Sequence, residues 1–337
     1  MVCHPNHTPL YNACLVITAS DAMSETTLPN YTSSAFYNVM MFSFFWALQI
    51  FFVKLGTNAG VQILSFQLLS ILAAILVLAI LTLPKYGAEF SYFFKQQTRL
   101  FWQLFLVNGI QSGLGTSLSI IGISLTAAIN AGFLVKLATV TTILFAWVIL
   151  NERLTVYKVL TALSMLFGAY LLTTKGAALL PRIGDLFILG ACVCWSLGNV
   201  LVRKVLKTQS VRVEVVTFQK PIAGLPVMLV FIGVSAWYPE IFRNFQPVFA
   251  CCKPNFATFV FALLNGFFLA MTWTYLNRTL KVATASYMTM MSMVTPVLVS
   301  LLAIIFLGET LTGVQFAGAG IIILSGVFTY VSGIAQI

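Results

Sequence analysis

Ten apolar stretches of 18 to 25 residues follow one another along this chain, at 36–54, 61–83, 101–122, 126–150, 157–174, 185–206, 214–237, 256–276, 283–307 and 313–333. A helix rises 1.5 Å per residue and a bilayer's hydrocarbon core is about 30 Å thick, so roughly 20 such residues cross it once. Each stretch is too long for a strand and is bounded by charge, Gly or Pro. What lies between them is short loops. Soluble chains carry about 25% charged residues because their surface must be wetted. Here 8% of 337 residues are charged, which excludes a soluble globular domain, a disordered chain and a collagen-like fibre. The expected fold class is an all-α membrane protein with ten transmembrane helices and the lipid bilayer as its constant partner.

Residues 1–34 are polar, hold both histidines and lack the basic start of a secretory signal, so they read as a disordered tail. The net charge of +10 reflects loop bases that orient the helices rather than a nucleic-acid partner. Of the 18 lysines and arginines, eleven fall in the loops on the side of the tail and five on the opposite side. Lys136 and Lys220 lie within spans. Because cytoplasmic loops carry the basic excess, both termini are expected in the cytoplasm of a plasma or bacterial inner membrane. The sequons at Asn6, Asn30 and Asn277 then stay unglycosylated. None of the six cysteines has the C-x-x-C spacing of a zinc or redox site. Only Cys251 and Cys252, adjacent in a loop, are placed to oxidise together. No metal and no cofactor is expected.

The chain also repeats itself. A shift of 157 residues lays 108–155 on 265–312 without a gap, with ten identities in 48 positions, where composition alone gives roughly four. Asn108-Gly109 falls on Asn265-Gly266, and the turn Glu152-Arg153-Leu154-Thr155 falls on Glu309-Thr310-Leu311-Thr312. A shift of 149 brings Trp46 onto Trp195 and Lys54 onto Arg203. Five helices per copy is an odd number, so the second copy enters the membrane inverted, the arrangement on which alternating-access transporters are built. The repeats are placed at 36–175 and 184–333.

Two inverted five-helix units, each closing its fourth and fifth helices with an E-x-L-T turn and each carrying a Trp in its first helix, resemble the EamA-type transporters of the drug/metabolite transporter superfamily. The resemblance implies ten helices and the export or exchange of small metabolites through a central cavity. Where that family often has an arginine early in its second helix, this chain has Gln67 and Gln219, with Lys220 beside the latter.

Lys136 is the most informative residue. An ammonium near mid-membrane costs about 2.5–3.5 kcal/mol even on lenient scales. A cavity position, where it meets a carboxylate or phosphate of the substrate, explains its presence; binding to backbone carbonyls in a packed interface is the alternative. Its repeat equivalent is Met293, so such a site is asymmetric. Lys220 is close enough to the span's start to snorkel, and Pro221, Pro226 and Pro296 free carbonyls that kink helices and serve gating. Trp46, Gln49, Asn130, Trp195, Asn199, Trp273, Tyr275 and Tyr287 complete the cavity candidates, since a polar group in lipid favours an inward face. Gly109, Gly113 and Ser117, like Ser164 and Gly168, form small-residue stripes for close helix contact. Glu152 and Glu309 sit at helix ends, where they favour the positive N-termini of the fifth and tenth helices while Thr155 and Thr312 cap them.

No acid falls mid-membrane and both histidines are in the tail, so a proton relay of carboxylates and the known intramembrane protease dyads are absent, and no catalytic residue is assigned. The reading is a permease that moves a small metabolite, an amino acid or organic anion, by alternating access. A channel and a non-transporting sensor or scaffold are the alternatives, and a homodimer is compatible with either.

Overall fold

The computed structural model describes residues 30–58, 63–126, 128–237 and 256–332. Ten helices among them are long and apolar enough to cross a membrane. They are α1 (Asn30–Asn58), α2 (Ile63–Gln96), α3, α4, α5 (Val156–Thr174), α6 (Ile183–Thr208), α7 (Val213–Trp237), α8 (Phe256–Val282), α9 and α10 (Gly313–Ser332). Three spans change helical pitch on the way. In α3 a π-helical turn, Gly109–Leu114, joins Thr98–Asn108 to Gly115–Leu125. In α4 a 3-10 turn, Val135–Leu137, joins Ala128–Leu134 to Ala138–Leu150, and in α9 Ser292–Val294 joins Ala285–Met291 to Thr295–Leu307. The two 3-10 turns are 157 residues apart, the spacing of the sequence repeat.

Two boundaries differ from the apolar runs. α1 begins at Asn30, inside the segment read as a tail; residues 1–29, with His4, His7, Cys3 and Cys14, lie outside the described residues, as do Cys251 and Cys252. α2 continues past Pro84, breaks at Tyr86 (φ −126°, ψ 15°) and runs on to Gln96. Hydropathy ends the span at 83 because Lys85 and Lys95 are exposed, whereas Phe93 on the other face is buried against Phe101 of α3. Helix α7 passes through Pro221 and Pro226 as one helix, and Pro296 occupies the first turn after the 3-10 segment of α9, where its missing donor costs least.

The packing repeats with an offset of five helices. α1 lies on α8 as α6 lies on α3, α2 on α8 as α7 on α3, and α1 on α9 as α6 on α4; α5 meets α10, α2 meets α7 and α4 meets α9. The Asn-Gly pair of each copy makes one of these contacts. Asn108 Nδ2 donates to Gln219 Oε1 of α7 (3.3 Å), and Asn265 Nδ2 donates to Ser70 Oγ of α2 (2.9 Å). A Cβ on Gly109 would stand 3.2 Å from the Ala223 carbonyl, and one on Gly266 2.6 Å from that of Ser70, so glycine is what lets each helix approach its partner. The small-residue stripe of α5 is used likewise, with Gly168 against Gly318 and Ser164 Oγ 2.9 Å from Ser325 Oγ on α10.

The two ends of the bundle are not alike. At the proximal face, where α1 begins, the first half of α9 packs against the second half of α4, and every residue from Ala285 to Met293 is buried. At the distal face the corresponding first half of α4 packs on α5 and α6 and makes no comparable contact with the second half of α9 among the described residues.

Candidate functional site

The break in α4 sets the site. A 3-10 turn leaves the α-helical ladder, and the side chains of α6 hold the carbonyls around it. Cys192 Sγ lies 3.4 Å from the Leu134 carbonyl and Ser196 Oγ donates to that of Ala138 at 2.9 Å. These two residues are four apart, hence on one face of α6. Lys136 projects from this turn, is 8% exposed, and holds its Nζ 4.7 Å from the ring centroid of Trp46 on α1. A desolvated ammonium over an indole face gains about 2 kcal/mol, less than the cost of removing it from water. The matching turn of α9 carries Met293 and closes on itself, through Ser292 Oγ to the Thr289 carbonyl and Thr295 Oγ1 to that of Ser292, both at 2.7 Å.

The other candidates divide. Gln49, one turn from Trp46, is half-buried on the same stretch of α1. Tyr275 stacks on Phe45 of α1 at 5.6 Å, with the Arg278 guanidinium 5.5 Å from its ring centroid, which makes it part of the α1–α8 seam. Tyr287 is 0% exposed inside the proximal contact of α4 and α9. Asn130 is engaged at the contact of α4 with α6: its Nδ2 donates to the Leu180 carbonyl (2.7 Å) and to Asp185 (3.2 Å), tying α4 to the start of α6. Trp195 and Asn199 do share a face, and it is the α3–α6 interface. Gln111 Nε2 donates to Asn199 Oδ1 at 2.5 Å and to the Trp195 carbonyl at 3.3 Å, and a Cβ on Gly115 would sit 2.9 Å from the Trp195 ring.

Lys220 does not snorkel. It is 1% exposed, with its Nζ 5.9 Å over the ring of Trp273 on α8 and its carbonyl held by Ser112 Oγ at 2.9 Å. Proximity to the end of the apolar run suggested otherwise, but α3 and α8 pack on this level of α7 through Ser112 and Trp273. The polar strip on α3, Asn108, Gln111 and Ser112, was not singled out by composition. Its one signal was Asn108 in the repeated Asn-Gly pair; the rest depends on which helices become neighbours.

The two glutamates serve elements other than the helices they precede. Thr155 caps α5, accepting from the Lys158 amide at 3.2 Å, and Thr312 accepts from the Gln315 amide at the start of α10. Glu152, in the extended turn before Thr155, swings across to α9, where its carboxylate accepts from the Ala285 amide (2.9 Å), the Ser286 amide (3.2 Å) and the Ser286 hydroxyl (2.6 Å). Nearby Arg203 of α6 donates to the Leu280 carbonyl at 2.5 Å, closing the end of α8. Glu309 at the distal face instead forms an ion pair with Lys54 of α1, both about half exposed. No group of three or more metal-ligating side chains occurs among the described residues.

The family described as EamA-like transporter family matches this chain twice, over residues 34–174 and 182–331. A solved structure described only as the crystal structure of a protein superposes with a TM-score of 0.67 at 18% identity, covering 91% of this chain and 97% of that one, a likeness of fold. No curated protein matches the chain.

Proposed function

We propose, from the premise that this chain belongs to the EamA-like transporter family, that it is a secondary transporter moving a small, negatively charged metabolite by alternating access. The observation that carries the reading is Lys136, a buried cation on a broken membrane helix that faces an indole and has no carboxylate partner among the described residues. A substrate carboxylate or phosphate supplies the missing counter-charge. Broken helices at the meeting of inverted repeats are where such transporters hold their cargo.

Alternating access is supported by the unlike ends of the α4–α9 pair, sealed proximally and separate distally. Eleven bases against five favour the proximal face as the cytoplasmic one, which on this reading makes the state one closed inward. The sealed end counts against a channel, whose axis stays open, and a scaffold has no use for two access states.

Uptake of labelled amino acids and organic acids into proteoliposomes, for the wild type and Lys136→Met, tests the reading. Loss of a charge-assisted contact in low dielectric is expected to reduce uptake of anionic substrates by about tenfold or more. Unchanged uptake of every anion in the variant would remove Lys136 from the site.

A further inference from the structure

Lys220 matches Lys136 in burial and in its partner, though not in the repeat. Its equivalent in the first copy is Ile71, as Met293 is the equivalent of Lys136, so both cations are additions to a symmetric frame. Their tryptophans lie on two helices that pack together. Helices α1 and α8 are antiparallel neighbours, and Phe45, next to Trp46, stacks on both Phe268 and Tyr275, the residues that bracket Trp273. Trp46 and Trp273 also pack against the same buried cluster.

No acid is left over for either lysine among the described residues. Glu89 pairs with Arg212 at 2.7 Å, Glu214 with Arg278 at 3.4 Å and Glu309 with Lys54. Glu152 is taken by the start of α9, and Asp185 accepts from Thr126 at 2.5 Å and from the Arg182 amide at 2.9 Å. Two ammonium groups therefore share the membrane interior with only ring faces to offset their desolvation, and a ring face offsets it in part.

We infer that the transported molecule carries two anionic groups, a dicarboxylate or a phosphorylated carboxylate, of which Lys136 takes one and Lys220 the other. This rests on the transport reading above. A monoanion neutralises one lysine and leaves the second uncompensated in low dielectric. A dicarboxylate neutralises both, so the loaded protein changes state with no excess charge in its interior, and a phosphorylated carboxylate does so with its phosphate singly protonated, while the two indoles offer flat apolar surfaces beside the anions.

The test is uptake into proteoliposomes of 2-oxoglutarate, phosphoenolpyruvate and the monoacid 2-oxopentanoate, by the wild type, Lys220→Met and Lys220→Gln. The glutamine variant keeps a polar, hydrogen-bonding end in case methionine impairs folding. The wild type is expected to favour at least one dianion over the monoacid by about tenfold, and both variants to lose that ratio. Which dianion wins separates a second carboxylate from a phosphate. Equal handling of the monoacid and both dianions by the wild type, or a ratio that survives both substitutions, overturns the inference and leaves the transport reading standing. No uptake of any acid by the wild type overturns both.

Discussion

The turns at Glu152 and Glu309 descend from one sequence pattern and do different work. Glu152 spans the two repeats and closes three donors at the start of α9, whereas Glu309 meets Lys54 in an exposed pair. Under the repeat Lys54 corresponds to Arg203 and the Ala285 and Ser286 amides to those of Ala128 and Ile129, and only the Ser286 hydroxyl lacks a counterpart. The difference therefore lies in arrangement: one end of the α4–α9 pair is closed and the other is not. A duplicated motif specifies what a turn can hold, and the state of the bundle decides what it does hold.

Cross-linking is the severest way to break this comparison. Thr139 Oγ1 and Thr289 Oγ1 are 3.2 Å apart across the proximal contact, and the repeat maps this pair onto Pro296 and Gly132 at the distal end. In a background lacking the six native cysteines, Thr139→Cys with Thr289→Cys is expected to form a disulfide under mild oxidation and to stop uptake until reduced. Gly132→Cys with Pro296→Cys is expected to stay reduced. Equal cross-linking at both ends, seen as a reductant-sensitive gel shift, would end the distinction.

Glu152→Ala comes next. It leaves two backbone N–H groups at the start of α9 without their acceptor in a buried contact, an expected loss of about 2–4 kcal/mol that a lowered melting temperature in detergent reads. The smallest effect belongs to Glu309→Gln. An ion pair about half exposed on both sides contributes under about 1 kcal/mol, so its melting temperature should stay close to that of the wild type. Comparable losses in the two variants would make the turns equivalent after all.

Much of the frame was legible before any coordinates. Ten spans follow from apolar length alone, and the inversion follows from an odd number of helices between two copies of one turn. The extension of α2 was hidden because it is amphipathic, with Phe93 inward and Lys95 outward, and hydropathy averages the two. Of the site, Lys136 stood out by cost, since a charge in lipid demands a reason whatever its neighbours. The burial of Lys220 and the engagement of Asn130 and Asn199 did not, because a side chain's partner across the bundle is set by which helices meet. The separate roles of Glu152 and Glu309 were beyond the sequence for a further reason, namely that like turns stand at ends of the bundle that pack differently.

The 3-10 turns have a geometric consequence for the helices that contain them. Three residues turn by 120° each where an α-helix would turn by 100°, so the halves of α4, and likewise of α9, are out of phase by about 60°. Each span thus presents two contact stripes rather than one, the first half of α4 meeting α5 and α6 and the second meeting α6 and α9. A stripe drawn straight down such a helix would assign half its residues to the wrong neighbour, and a single-residue insertion at Val135–Leu137 would re-aim one end of the helix while leaving the other in register.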